Sequence, residues 1–256
     1  MPLTAGPSST ESGVLRRVVD DVRAMGLAGW GVYAVSTALE RLSKRRIHLL
    51  ALRFYVQPVA NRRLVPPRSA NDPIRIGPLP EGTFDPHAFD RPRQAIEDRY
   101  RDGSICIGAV REGELVGFMW LQHGVLRERL VRCRMHATPA DRVAWDYDFE
   151  IHPRYRLGRL FGRLWDCAFE ILREQGIRAT VSWVRLGNRA SEQAHARLGA
   201  RRIGWAFFVT VFGWQLMLSS VRPKIAFAPP GRACDLYVDV DAHSVARNHT
   251  PDPARG

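Results

Sequence analysis

Three carboxylates and four arginines fall within one short stretch of this 256-residue chain, from Asp146 to Leu164 (DYDFEIHPRYRLGRLFGRL). Asp146, Asp148 and Glu150 alternate with Tyr147, Phe149 and Ile151, the period of a strand with acids on one face and apolar side chains on the other. Pro153 ends such a ladder because it has no N–H to donate. Arg154, Arg156, Arg159 and Arg163, with Gly158 and Gly162 among them, then fall where a helix begins. A helix start with spare N–H groups holds anions. This combination suits a phosphate-bearing cofactor bound beside a proton acceptor.

The elements that must position these residues follow from periodicity. Residues 1–13, rich in Pro, Ser, Thr and Gly, are expected to be disordered. Residues 14–46 read as a helical extension, with Val14, Val18, Val19 and Val22 at helical spacing and a second segment, Trp30 to Arg45, apolar early and basic late. That segment fits a helical pair packed on the next domain. It also fits an interfacial helix touching an anionic membrane from the side, with Trp30 and Tyr33 at headgroup level. Ile47 to Pro58 predicts a strand, residues 61–88 a long connection, and Arg91 to Arg101 a short helix with Pro92 in its first turn. A hairpin follows, 104–111 and 115–122 around Glu112-Gly113-Glu114. Residues 123–142 read as basic and irregular. After the opening strand comes a helix from Leu157 to Gln175 ending at Gly176, a strand at 179–184, and a helix opened by Asn188 as N-cap and ended by Gly199. An apolar hairpin spans 202–219. Residues 221–256 read as a loose tail in which only 235–240 could add a strand. The order predicts an α/β (α+β) domain over 47–220, a mixed, mostly antiparallel sheet flanked by helices.

Composition narrows the partners. The net charge is +12, yet only Lys44 and Lys224 among 38 basic residues are lysines, and the arginines are spread along the chain. A diffuse positive field suits an anionic small molecule or an anionic membrane surface better than it suits nucleic acid. Cys106, Cys133, Cys167 and Cys234 form no CxxC pair, and His48, His87, His123, His136 and His152 have no ligand spacing, so no metal is expected. The N-terminus lacks the pattern of a signal peptide and no run reaches the ~18 apolar residues of a membrane span. A cytoplasmic protein is the expectation.

Three stretches together resemble the GCN5-related N-acetyltransferase (GNAT) superfamily. The hairpin SICIGAVREGELVGFMWL is similar to the family's second and third strands. FEIHPRYRLGRLFGRLWDCAFEILREQG resembles its fourth strand, pyrophosphate loop and following helix. NRASEQAHARLGARRIG is similar to a third family segment, in which Asn188 and Gly199 match, Ser191 and Arg197 are conservative, and His195 takes the place of a tyrosine. The loop departs from the family pattern: its two small positions are Arg159 and Phe161, with Gly158 and Gly162 each one residue displaced.

The resemblance implies transfer of an acyl group from acetyl- or another acyl-coenzyme A to an amine of a small molecule or peptide, by direct attack in a ternary complex. The residues it implies for the cofactor are Arg156, Leu157, Gly158, Arg159, Leu160 and Gly162 at the pyrophosphate, backbone at Phe149 and Ile151 along the pantetheine, and Asn188 and Ser191. Asp148 or Glu150, with Asp146 a third candidate, would be the base that neutralises the amine. His195 would protonate the thiolate. Helical spacing sets Asn188, Ser191 and His195 on one face and Ala190, Ala194 and Leu198 towards the core. A bulge, usual in the family's fourth strand, would flip its face midway. Plainer readings stay open: a solvated arginine face, carboxylates paired with nearby arginines such as Arg132 and Arg134, Asn188 as a simple cap, His195 as a surface residue. A cofactor- or partner-binding member with little turnover, or one at a membrane surface acting on a lipid-linked or glycan intermediate, are the alternatives to an enzyme of the ordinary kind. Residues 83–101 and 123–142 are expected to build the acceptor groove. Arg127, Arg129, Arg132 and Arg134 there hint at an acidic acceptor. The apolar hairpin 203–219 could serve a dimer.

Overall fold

The computed structural model describes residues 31, 34–39, 41–44, 46–66, 72–156 and 159–241. The expected disorder of 1–13, and most of the extension before Gly31, lie outside the described residues. Residues 34–39 are helical. Ser36 from this segment both donates to the Leu49 carbonyl (3.0 Å) and accepts from the Leu49 N–H (3.1 Å).

β1 (Ile47–Pro58) buries Leu50, Leu52, Phe54 and Val56, every second residue, as a strand with one face on a core must. A long connection over residues 61–88 was expected next, but it contains β2 (Ile74–Leu79). Pro78 does not prevent this, because β2 is the last strand at one end of its sheet and an edge strand tolerates a missing donor. α1 (Arg93–Arg101) leads into the hairpin of β3 (Ile105–Arg111) and β4 (Glu114–His123). Residues 123–142 are not irregular: β5 (Val125–Glu128) and β6 (Cys133–Thr138) pair there. Buried Cys133, Met135 and Ala137 alternate with outward Arg134 and His136, a two-residue period that the density of arginine obscured.

β7 (Val143–Ile151), α2 (Leu160–Glu174), β8 (Ala179–Arg185), α3 (Arg189–Arg197), β9 (Arg201–Val211) and β10 (Trp214–Ser219) follow as the periodicities predict. The chain then continues past 220 with β11 (Ile225–Ala228) and β12 (Cys234–Asp239), so the part of the expected loose tail up to Asp239 carries two strands; residues 242–256 lie outside the described residues.

The strands make two sheets. Nine are ordered β11-β10-β9-β1-β8-β7-β4-β3-β2, antiparallel throughout except for β7 with β8; three more are ordered β12-β6-β5. The small sheet covers one face of the large one. Leu126, Met135, Leu236 and Val238 of the small sheet share a core with Leu52, Phe54, Trp145, Val181 and Phe208 of the large. Cys133 and Cys234 are cross-strand partners in this layer, both as free thiols. α2 covers the opposite face further along, setting Leu164, Trp165, Ala168 and Leu172 over Ile107, Met119, Leu121 and Ala144. α1 and the 3-10 turn Pro86–Phe89 put Ile96 and Phe89 over Cys106, Phe118 and Trp120. Tyr147 touches this cluster and the one under the small sheet, so α1 and the small sheet share a face.

On the α2 side, β9, β10 and β11 keep an open apolar surface. In register across the three strands lie Phe207, Leu218 and Ile225, then Val209, Leu216 and Phe227, and finally the pair Val211 and Trp214.

Leu236 is fully enclosed between the sheets. Leu236→Ala should lower the unfolding free energy by about 3 kcal/mol in urea titration, the cost of a buried leucine deleted from a packed core. A loss below about 0.5 kcal/mol would mean that β12 is not part of the cooperative unit.

Candidate active site

β7 changes character at Asp148. Gly117 pairs with Ile151 and Phe118 with Glu150, but Trp120 already pairs with Tyr147, so Asp148 and Phe149 together oppose Met119. Asp148 occupies the left-handed region at φ 46°, which a non-glycine residue adopts at a bulge. The simple alternation of Asp146, Asp148 and Glu150 on one face is therefore broken. Asp146 lies on the α2–α3 side. Asp148 and Glu150 turn to the α1 side, with Tyr147 between the two sets. Phe149 and Ile151 face α2, where Phe149 meets Phe161 edge-on at 5.1 Å. Gly117 is glycine for a local reason: a Cβ there would come 3.1 Å from the Glu150 carbonyl oxygen and 3.4 Å from both Ile151 and Leu164.

The α1-side carboxylates are held by two arginines that sequence reasoning did not single out. The Arg91 guanidinium donates to Asp148 at 2.6 and 3.1 Å and to Glu150 Oε2 at 2.6 Å. Arg99 donates to Asp148 Oδ2. Burial works against the charge of Arg91, but its bonds to Asp148 and Glu150 outweigh that and raise its pKa. Arg91 also lies over the Phe118 ring (5.6 Å), and Arg99 over those of Trp120 and Tyr147 (5.2 and 5.3 Å). Arg132 and Arg134 are elsewhere. Arg134 pairs with Asp235, and Arg132 bonds backbone at Gly213 and Arg232. One signal for Arg99 was present in the sequence: it is three residues after Ile96, beside the buried stripe of α1.

On the other face, β7 and β8 are bonded only from Val143–Ala179 to Trp145–Val181. Past that point the two strands share no ladder, and the edge of β7 from Asp146 to Ile151 that faces β8 is outside any strand pairing. Ser182 is the first β8 residue beyond the last pair. Its hydroxyl lies 3.4 Å from both ring nitrogens of His195 on α3, and the Tyr55 ring stacks parallel to the imidazole at 5.8 Å. Asp146 faces the same place. It is 4% exposed, and its Oδ2 has no hydrogen-bond partner among the described residues. Burial raises its pKa, against the lowering influence of His195 and of the Thr180 and Ser182 hydroxyls. Gln57 and Thr180, cross-strand partners beside it, are also buried with polar atoms lacking partners among the described residues. Tyr55 sits next to Glu192, which pairs with Arg53 at 2.6 Å.

α3 carries its expected residues differently from the helical-face reading. Asn188 is an N-cap: its side chain accepts from the Ser191 N–H at 3.1 Å. Ala190 is exposed rather than turned to the core, and no residue of α3 is fully buried. The helix lies over the end of the β7–β8 ladder, where His195 meets the sheet, and Leu198 at its C-cap packs against the α2-side cluster as the helical-face reading expects.

The arginine-rich turn follows β7. His152 Nδ1 accepts from the Arg154 N–H, Pro153–Tyr155 form a 3-10 turn, and Arg156 Nε donates to the Ile151 carbonyl at 2.9 Å. Leu157 and Gly158 lie outside the described residues. α2 begins at Leu160 after Arg159, with no acidic residue of its own in its first turn, so its first N–H groups carry the positive end of the helix dipole. Arg154, Arg156 and Arg159 are exposed there. Two other residues of the stretch have structural tasks. Gly162 is buried where a Cβ would come 2.7 Å from Val65. Arg163 bonds Asp72 (2.7 Å) and the Ile74 carbonyl (2.8 Å), tying α2 to the segment before β2.

Among the described residues no group of three or more His, Cys, Asp or Glu could hold a metal ion, and no helix is long and apolar enough to cross a membrane.

Because the Asp146 carboxyl titrates above its ordinary 3.8, folding favours its protonated form. That stability is present in full below the ordinary value and is lost as pH rises through the folded one. Asp146→Asn should therefore stabilise the protein by about 1–2 kcal/mol at pH 8 and by almost nothing near pH 4, read from denaturant unfolding at the two pH values. Lower stability of the variant at pH 8 would show that the ionised carboxylate is fully compensated in the fold.

The model of the Acetyltransferase (GNAT) family matches residues 75–200. Among solved structures, the chain is similar to a functionally unknown conserved protein from Staphylococcus epidermidis (13% identity, 68% of this chain and 66% of that one, TM-score 0.44). It is similar also to a tandem GNAT protein from the clavulanic acid biosynthesis pathway (18%, 69% and 58%, TM-score 0.42). A third is a GCN5-related N-acetyltransferase from Sphaerobacter thermophilus (11%, 68% and 55%, TM-score 0.41). The chain thus spans between 55% and 66% of the length of these three. No curated protein matches the sequence.

Proposed function

The chain belongs to the GNAT superfamily through residues 75–200, and on that premise we propose that it is an N-acyltransferase moving an acyl group from acetyl- or another acyl-coenzyme A to an amine. The observation that carries the reading is the end of the β7–β8 ladder at Trp145–Val181, with an arginine-rich helix start on one side of the opening and His195 on the other.

The residues fit the co-substrate. The first turn of α2 and the exposed Arg154, Arg156 and Arg159 suit the pyrophosphate, by N–H donation and charge. The unpaired edge of β7 suits the amides of the pantetheine arm as an added strand would. When bound, acyl-coenzyme A supplies an acyl group activated as a thioester. An ammonium acceptor must first lose a proton. Glu150 is the better base of the two α1-side carboxylates: Arg91 engages only its Oε2, whereas both oxygens of Asp148 are taken by guanidinium groups. Asp148 in this reading holds the bulge and orients Arg91 and Arg99. As the C–N bond forms and the C–S bond breaks, His195 gives its proton to the departing sulfur and regains one from solvent. The proton released by the amine balances the one taken up by the thiolate. Glu150 and His195 lie on opposite faces of the sheet, so the reaction would run through the opening between β7 and β8, acceptor on the α1 side and co-substrate on the α2–α3 side.

One observation favours a second reading. Arg91 bridges Asp148 and Glu150, and a carboxylate so paired is a weak base. A protein that binds acyl-coenzyme A without turning it over is the alternative.

Titration calorimetry with acetyl-coenzyme A should show binding, and Arg159→Glu should weaken it about tenfold through the lost charge at the helix start. With a panel of amines, release of free thiol should follow. His195→Ala should then lower kcat about 100-fold with little change in acetyl-coenzyme A affinity. Binding without thiol release for any amine would favour the alternative, and no binding would sink both.

A further inference from the structure

The open face of β9, β10 and β11 has no place in that reaction. Large apolar residues protrude from it or its rim, among them Trp205, Phe212, Trp214, Leu216, Ile225 and Phe227. Phe212, Ile225 and Phe227 are 60%, 65% and 63% exposed. The face is ordered by cross-strand register, and Trp214 and Phe227 stack on one another at 5.2 Å. A contiguous apolar surface across three bonded strands is larger than scattered exposed side chains and marks a contact surface.

Charge identifies the partner. Residues 193–234 contain no aspartate or glutamate. Cations stand around the face instead. Arg202 is the second residue of β9, and Arg222 and Lys224 stand at the turn between β10 and β11; all are exposed. At the opposite end Arg46 lies over the Phe212 ring at 5.7 Å and accepts the Phe212 N–H on its carbonyl, fixing a cation at the hairpin tip. A second copy of the chain is a poor occupant. A two-fold contact would bring strands that carry no carboxylate against themselves, cation facing cation. Nucleic acid is also poorly served, because Val209, Val211, Leu216, Leu218 and Ile225 offer aliphatic surface where a base would need rings and donors. Aromatic and aliphatic side chains in the centre with Arg and Lys at the edge match the chemistry of an anionic lipid interface.

We infer that the apolar face of β9–β11 docks the protein on an anionic lipid surface, with Trp214, Leu216, Ile225 and Phe227 entering the headgroup region and Arg46, Arg202, Arg222 and Lys224 meeting lipid phosphates. The inference is independent of the acyl-transfer reading. Neither α2, α3 nor the β7–β8 opening contributes to the face.

The test is vesicle sedimentation of the full chain. With vesicles of phosphatidylcholine containing about one-third phosphatidylglycerol, the wild type should partition at least tenfold more strongly than with phosphatidylcholine alone, and about 0.5 M salt should remove most of the difference. The double variant Trp214→Glu/Phe227→Glu should lose binding to both vesicles. Arg222→Glu/Lys224→Glu, which leaves the apolar residues in place, should lose about tenfold on the anionic vesicles and little on the neutral ones. Melting temperature and acetyl-coenzyme A affinity of each variant, measured alongside, separate loss of docking from loss of fold. Equal sedimentation of wild type and both variants would overturn the inference. So would a light-scattering mass of a dimer that Trp214→Glu/Phe227→Glu converts to monomer, which assigns the face to a second copy. Salt-sensitive binding of a single-stranded oligonucleotide lost in the same variants, without vesicle binding, would assign it to nucleic acid.

Discussion

A left-handed residue in the middle of β7 is what the rest of the site depends on. Asp148 at φ 46° is costly for any residue with a side chain, roughly 1–3 kcal/mol. Two guanidinium groups on its carboxylate hold it there. The bulge puts one residue more on β7 than on β4, and everything beyond it faces the other way. Without it Glu150 would point into α2, and Phe149 and Ile151 would lie among the charges of Arg91 and Arg99. Gly117 belongs to the same arrangement, since a Cβ there would press on the Glu150 carbonyl oxygen at 3.1 Å.

The second constraint is parallel pairing. Among the described residues β7 and β8 are the one parallel pair of the large sheet, joined through α2, which itself packs over β2, β3 and β4, and their ladder is short. Parallel neighbours splay readily when a bulge redirects one of them. The polar residues at the point of splay, Asp146, Thr180, Ser182 and Gln57, then lie buried beneath α3 instead of inside a closed ladder. A buried polar strip of this kind lowers stability, and proteins concentrate such features where chemistry needs them.

Much of this was legible in the sequence. The alternation in β1, β3, β4, β9 and β10, the helical stripe of α2 and the Asn188 cap are short-range patterns with strong signals. The resemblance rests on those same segments. The parts that were missed depend on distant neighbours. β5 and β6 are short and lie among arginines, and their burial arises from each other and from β12, which the sequence offered only as a possible strand at 235–240, across about a hundred residues of chain: Arg134 opposite Asp235, Cys133 beside Cys234. β2 is an edge strand with a proline and a glycine, which local rules read as a loop. The partners of Asp148 and Glu150 come from α1 and the residue pair before it, which no spacing along β7 could indicate. Gly162 and Arg163 look like parts of an anion loop by type alone. Their packing against Val65 and bonding to Asp72 require the fold.

Ser36 has a consequence beyond its two hydrogen bonds. β8 pairs with β1 only as far as Leu52, so the backbone of Leu49 would otherwise turn an unpaired N–H and carbonyl to the outside of the sheet. The serine hydroxyl takes the place of a missing strand at that point. The segment before β1 is thus a stopper on an open sheet edge. A chain beginning at Ile47 would present a sticky strand end to its neighbours, and its self-association would then be a property of the cut rather than of the protein.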